Sequence, residues 1–162
     1  MPTDGQSLVV LRLEDFTDLL QKSLSSPRRR AAKGLRAPED PVQILVNCLQ
    51  PGTCLMPHRH TGRPETRYVI DGMIALLRFN DQGDVLEFVL ADTGTVVTTP
   101  AGEWEMMVAM KANTTILDII TGPYNPATHK ENAPFAPEEN DQEAAQEYLK
   151  IIEGWLSSQA HP

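Results

Sequence analysis

Between residues 42 and 120 the chain cannot run straight for more than about eight residues. Seven β-prone runs, over 42–49, 68–70, 73–79, 85–90, 95–99, 105–110 and 114–120, are each cut short by a turn signal. The signals are Pro51-Gly52, Asp71-Gly72, Asn80-Asp-Gln-Gly83, Asp92-Thr-Gly94, Pro100-Ala-Gly102, Lys111-Ala-Asn113 and Gly122-Pro123. Glycine, proline and asparagine at these places supply the backbone angles that reversals need. Short strands at regular spacing predict a mainly β fold, a sandwich or a closed barrel.

Helices are expected only near the two ends. Phe16, Leu19, Leu20 and Leu24 recur at helical spacing over 15–24, and the apolar run 8–13 before them reads as a strand. Residues 25–41 are polar, contain prolines and a glycine, and read as a connecting segment. Residues 122–140 hold four prolines and predict an extended stretch over the barrel surface. Asn140 then reads as a helix N-cap with Glu143 three residues on, close to a capping box. Tyr148, Leu149, Ile151, Ile152, Trp155 and Leu156 give that tail helix an apolar stripe, to be buried on the barrel or on a second subunit. The expected organisation is one domain in three stretches: 1–41 as strand, helix and connection, 42–122 as barrel, and 123–162 as Pro-rich segment and helix.

One stretch of the barrel carries chemistry. Residues 52–72 include His58 and His60 two apart, Glu65 five further on, and glycines before and after. Along a strand, side chains alternate faces, so His58 and His60 point the same way. A loop through Gly62 and Pro64 lets the chain return and aim Glu65 at the same point. Two imidazoles and a carboxylate converging on one spot form the facial set of many non-heme metal sites. The plain alternative is a pair of polar histidines on a solvent face and a loop acid. Arg67 shares the parity of Glu65; it is either buried on a carboxylate or anion, or placed at the barrel mouth with its head in water. Gln43 and Asn47 share one face of the strand before the motif and are candidates to line the pocket. Met107 and Met110 read as core filling, with Met107 also a candidate for the pocket wall, and Met106 faces outward. Trp104 and Tyr68 read as packing residues. His129 and His161 have no partner by spacing.

The glycine, His-x-His, glutamate and glycine spacing resembles the first cupin motif. The second is matched by Gly94, Pro100 and Gly102, but its closing histidine position holds Glu105. The resemblance implies a cupin double-stranded β-helix, a jelly-roll barrel with short N- and C-terminal helices. It also implies a divalent metal, Fe, Mn, Ni or Zn, held by His58, His60, Glu65 and, in the histidine's place, Glu105. Glu105 has three competing roles: a fourth oxygen ligand, a general acid or base, or a relic of a site that has lost its metal. In the last case Glu105 and Glu65 repel, and a proton or a cation such as Arg67 must settle them.

From about Ser26 to Glu139 the chain is similar to WbuC-type cupins in particular. The matching residues are Ser26-Pro-Arg-Arg-Arg30, Asp40-Pro-Val-Gln43, Gly122-Pro-Tyr-Asn-Pro-Ala-Thr-His-Lys130 and Ala133-Pro-Phe-Ala-Pro-Glu138. That resemblance implies a metalloprotein often found near surface-polysaccharide genes, and hence a small polar, sugar-related ligand. It implies no particular reaction. Where such proteins carry Asn and His before the Asp-Pro-Val-Gln segment, this chain has Lys33, Gly34 and Arg36.

Charge and the remaining motifs narrow the function classes. A net charge of −8 argues against nucleic acid as a partner. The basic run Arg28–Arg30 reads as a solvated loop or, alternatively, as an anion-binding rim of the pocket. No apolar stretch approaches a membrane span of about 20 residues, and no signal peptide is visible. Cys48 and Cys54 lack metal-type spacing and read as reduced thiols of a cytoplasmic protein. No nucleophile elbow and no phosphate-cradling glycine loop occurs. Three readings stand: a metal-binding cupin acting on or sensing a small polar molecule, a metal-free binding or regulatory module, and a metal-free sugar isomerase or epimerase with His58 or His60 as base. A homodimer is expected, because exposed edge strands in a small barrel invite pairing.

Overall fold

The computed structural model describes Leu8 and residues 10–159. Two five-stranded antiparallel sheets face each other. The strands are β1 (Arg30–Gly34), β2 (Val42–Leu49), β3 (His58–Arg59), β4 (Glu65–Asp71), β5 (Met73–Phe79), β6 (Val85–Asp92), β7 (Val96–Thr99), β8 (Trp104–Ala109), β9 (Thr114–Thr121) and β10 (Glu131–Asn132). The first sheet runs β1-β2-β9-β4-β7 and the second β10-β3-β8-β5-β6. Helix α1 (Leu13–Ser25) and helix α2 (Gln142–Gln159) flank them. The jelly-roll arrangement with helices only near the ends is the one expected from the turn signals and motifs.

Each layer is held by apolar burial. Leu49, Val69, Ile74, Leu76, Met107 and Ile116 pack between the sheets. On the outer face of the second sheet, Leu77, Phe79, Met106 and Val108 meet Ala145, Leu149, Ile152 and Leu156 of α2. On the outer face of the first, Val46 and Cys48 meet Leu19 of α1, with Phe16 and Leu20 beside it. This double cover explains β8, in which every residue is buried. Met106 and Val108 pack among the α2 contacts, while Met107 and Ala109 pack between the sheets. A strand covered on both faces shows no alternation of polar and apolar residues.

Several expectations are corrected here. Residues 25–41 are not mere connection: β1 pairs with β2 from Arg30↔Leu49 to Gly34↔Leu45. The Pro-rich stretch contributes β10, which pairs with β3 through Asn132↔His58. In the run 8–13, Leu8 and residues 10–12 carry no regular element and Leu13 opens α1; residue 9 lies outside the described residues, as does His161. Asp141, not Asn140, caps α2, its Oδ1 accepting the Ala144 N–H at 3.2 Å. Met106 is fully buried under α2, whereas Met110 and Tyr68 are exposed. Cys48 and Cys54 are both free thiols.

Gly72 turns the chain from β4 into β5 at φ 92°. A Cβ there would stand 2.8 Å from the Thr114 Cα. Both the angle and the space require glycine at this corner.

A buried metal-type centre between the sheets

β4 alternates from Glu65 to Val69, so Glu65, Arg67 and Val69 are buried while Tyr68 is exposed; the register shifts after Val69, and Asp71 is exposed. β9 sets Asp118 opposite Arg67 and Ile120 opposite Glu65. β8 sets Glu105 opposite His58 of β3. All four expected ligands are buried, and one ligand atom from each of His58, His60, Glu65 and Glu105 lies within 4.8 Å of the others. The structure brings these four side chains together.

Both histidines are oriented from behind. His58 Nδ1 lies 3.0 Å from the Met56 carbonyl oxygen, and His60 Nδ1 lies 2.7 Å from that of His129. A carbonyl oxygen only accepts, so each Nδ1 carries the proton. In the neutral rings Nε2 is then left with its lone pair facing the site. His60 Nε2 sits 3.1 Å from Glu65 Oε2, and His58 Nε2 sits 3.8 Å from Glu105 Oε1. At His60 a ring lone pair faces a carboxylate oxygen, an arrangement that requires a proton or a metal cation between them.

Arg67 occupies the middle of the constellation, with its side chain 4% exposed. It grips Glu105 with two N–H groups, at 2.9 and 2.6 Å, and donates to Glu65 as well. Thr99 donates its hydroxyl to Glu105, and Asn47 donates its amide to Asp118. Arg67 Nε and Asp118 Oδ1 lie 3.3 Å apart but misaligned, and neither finds a hydrogen-bond partner. Of the two sequence readings of Arg67, the buried and paired one is the observed one.

Three buried carboxylates, Glu65, Glu105 and Asp118, thus share one guanidinium. The ionised centre is two positive charges short of neutrality, and burial magnifies that deficit. The titration directions follow. Burial pushes Asp118 up from 3.8 to about 7, against the pull of Arg67. Burial acts upward on Glu65 too, but Arg67 and His60 outweigh it and hold that carboxyl well below its ordinary value. Burial acts downward on His60, and Glu65 overcomes it and raises the imidazole. Burial lowers His58. His129 is lowered to about 4, first by burial and then by the charge of His60. A charge deficit of two, with two Nε2 lone pairs and carboxylate oxygens around it, fits a divalent cation.

The centre borders a cavity of about 200 Å³ whose walls include Asn47, His58, His60, Arg67, Met107 and His129. Of the sequence candidates for a pocket wall, Asn47, Arg67 and Met107 line this cavity. Gln43 does not: its amide donates to the carbonyls of Ala37, Pro38 and Asp40 and braces that loop instead. Two residues escaped the sequence reading. Asp118 was legible only as a lone charge in the apolar run 114–120, and its partner Arg67 comes from another strand. His129 stacks edge-on to His60, with ring centroids 5.0 Å apart, because β10 carries the Pro-rich stretch back to β3.

This fold is that of the cupins, seen in the comparison with solved structures. KdgF from Halomonas sp. superposes with a TM-score of 0.52 at 16% identity over 64% of this chain and 87% of its own. CapF gives 0.55 at 18% identity, over 67% of this chain and 32% of its own. Oxalate decarboxylase from Bacillus subtilis gives 0.51 at 16%, over 64% and 27%. The chain thus spans about a third or less of the latter two. At such identities the likeness is one of fold. The model of a family described as a domain of unknown function, DUF6016, matches residues 11–90. No curated protein matches the sequence.

Proposed function

We propose that this chain is a metal-binding cupin of the WbuC type. It holds one divalent cation through His58, His60, Glu65 and Glu105, and acts on or senses a small polar, sugar-related molecule in the adjoining cavity. The observation that carries this reading is the pair of Nδ1–carbonyl hydrogen bonds behind the histidines. Backing of that kind fixes the ring and the tautomer that ligate. A nitrogen and oxygen donor set of this hardness suits Fe(II) or Mn(II). When bound, such an ion polarises an oxygen of the small molecule. Arg67 holds Glu105 and Glu65 in place and keeps Glu65 ionised, Asn47 and His129 offer polar contacts in the cavity, and Met107 gives it an apolar wall.

The test is metal content by mass spectrometry on protein purified without added metal and then equilibrated with Mn(II), Fe(II), Ni(II) or Zn(II). About one equivalent is expected, and His58→Ala with His60→Ala removes it while the barrel stays folded. Intact protein that takes up none of the four metals sinks the reading.

A second reading has its own support. Arg67 already supplies a cation to both glutamates. On that reading the chain is a metal-free binding or regulatory cupin, or a metal-free isomerase or epimerase in which His60, paired with Glu65, serves as base. Ligand binding or activity that survives chelation favours it.

A further inference from the structure

The basic run Arg28–Arg30 is left over by the metal-type centre. Arg30 has one flank on the 200 Å³ cavity and the other on a separate depression of about 100 Å³. That second volume is about three times the share of one water in the liquid, the scale of a phosphate or sulfate group. Three cations converge on a single carboxylate, Glu139: Arg28 and Arg30 border the depression with it, and Lys130 reaches it from the 200 Å³ cavity. Arg28 Nη2 lies 2.7 Å from Glu139 Oε1, Arg30 donates to the same oxygen, and Lys130 Nζ lies 3.2 Å from Oε2. Arg30 is well covered, its side chain 13% exposed, and also donates to the Cys54 carbonyl at 2.8 Å.

Like charges gathered at hydrogen-bonding distance from one carboxylate repel each other, and Glu139 neutralises one of three. Glu153 on α2 is also felt electrostatically at Cys54 in the same depression. Three cations bonded to one carboxylate is a local gathering of positive charge in a chain of net charge −8. Two guanidinium forks sharing one carboxylate oxygen match the several oxygens of a tetrahedral oxyanion better than they match that single acceptor. Gln142 and Gln146 of α2 border the same space with further amide donors.

We propose that this depression binds a phosphate group on Arg28 and Arg30, with Glu139, backed by Lys130, as the internal competitor for the same donors. The chemistry has two sources: free phosphate, or the phosphate of a small phosphorylated molecule whose remainder passes Arg30 into the neighbouring cavity. The site does not depend on the metal-type centre being loaded.

Titration calorimetry at constant ionic strength, with inorganic phosphate and with glucose 6-phosphate, tests this. Saturable binding is expected. Arg28→Ala, at an exposed side chain, weakens it about tenfold, and Glu139→Gln strengthens it about tenfold by removing the competitor. Arg36→Ala, a surface control, leaves it unchanged, and circular dichroism confirms that each variant is folded. Glucose 6-phosphate binding at least about tenfold tighter than phosphate assigns the site to a phosphorylated molecule; equal affinities assign it to free phosphate. No saturable binding of either ligand to the wild type and to the folded Glu139→Gln variant overturns the proposal. So does an affinity unchanged by Arg28→Ala.

Discussion

At the scale of single residues, Arg67 decides the character of the interior. It is the one guanidinium among three buried carboxylates, and two of them bond to it directly. Arg67→Met keeps the volume and removes the charge. Breaking a buried pair on one side costs about 3–5 kcal/mol, read as a lower midpoint in urea denaturation. If the centre accepts a divalent cation, Mn(II) restores much of that loss, because it replaces the missing positive charge. A variant as stable as the wild type without metal would show that the carboxylates are settled by protons instead. The second residue-scale prediction concerns pH. Asp118 is raised to about 7 and His60 is raised above 6.5, so both contribute stability at low pH that is lost as pH rises through those values. Glu65 is lowered from 4.5, so its contribution is present above 4.5 and lost as pH falls. The chelated protein should therefore melt highest on the acid side of neutrality and lose stability from about pH 5 to about pH 7.5. Metal affinity should rise over the same interval, since the cation displaces the protons on Asp118 and His60. Melting curves with chelator and with Mn(II) across that range check both trends; a chelated protein that gains stability towards pH 7.5 contradicts the assignment.

At the scale of elements, the corners of the barrel are the sensitive points. Gly72→Ala places a side chain at φ 92° against the Thr114 backbone. The angle alone costs about 1–2 kcal/mol, and the contact adds to it, so a clear fall in melting temperature is expected. A neutral outcome would mean that the β4–β5 corner relaxes freely. The elements also show what was legible in the sequence. The runs over 42–49, 73–79 and 114–120 coincide with strands to within a residue, because glycine and proline fix where a chain can turn whatever surrounds it. β1 and β10 were not legible as strands. β10 is only two residues long and β1 has a polar sequence, so partners distant in the chain define them. The burial of Met106 and the exposure of Met110 were misread for a related reason. β8 is buried on both faces by elements far along the chain, and no pattern within it tells inside from outside. The quartet was legible because its spacing is local on β3 and β4 and a turn precedes Glu105. Asp118 and His129 were not, since each joins the centre only through sheet pairing.

At the scale of the whole molecule, the two sheets end at β6 and β7 in edges with no partner strand among the described residues. Leu86 and Leu90 on β6 and Val96 on β7 are more than half exposed. A long apolar edge is a template for another strand, and a second copy of this chain is the partner we propose for it. Light scattering at micromolar concentration should give twice the mass of one chain, and Leu90→Lys should return it to the mass of one. A wild-type protein of single-chain mass removes the proposal. The order in which strands pair has a consequence for biosynthesis. His58 is held by Glu105 on one side and by Asn132 on the other, and His60 by the carbonyl of His129. Contacts so distant in sequence close late and slowly. On the ribosome, the histidines are therefore made long before the segments that orient them. For most of translation they belong to an unfinished sheet with both imidazoles open to solvent, and only after Asn132 has emerged can the barrel close around them.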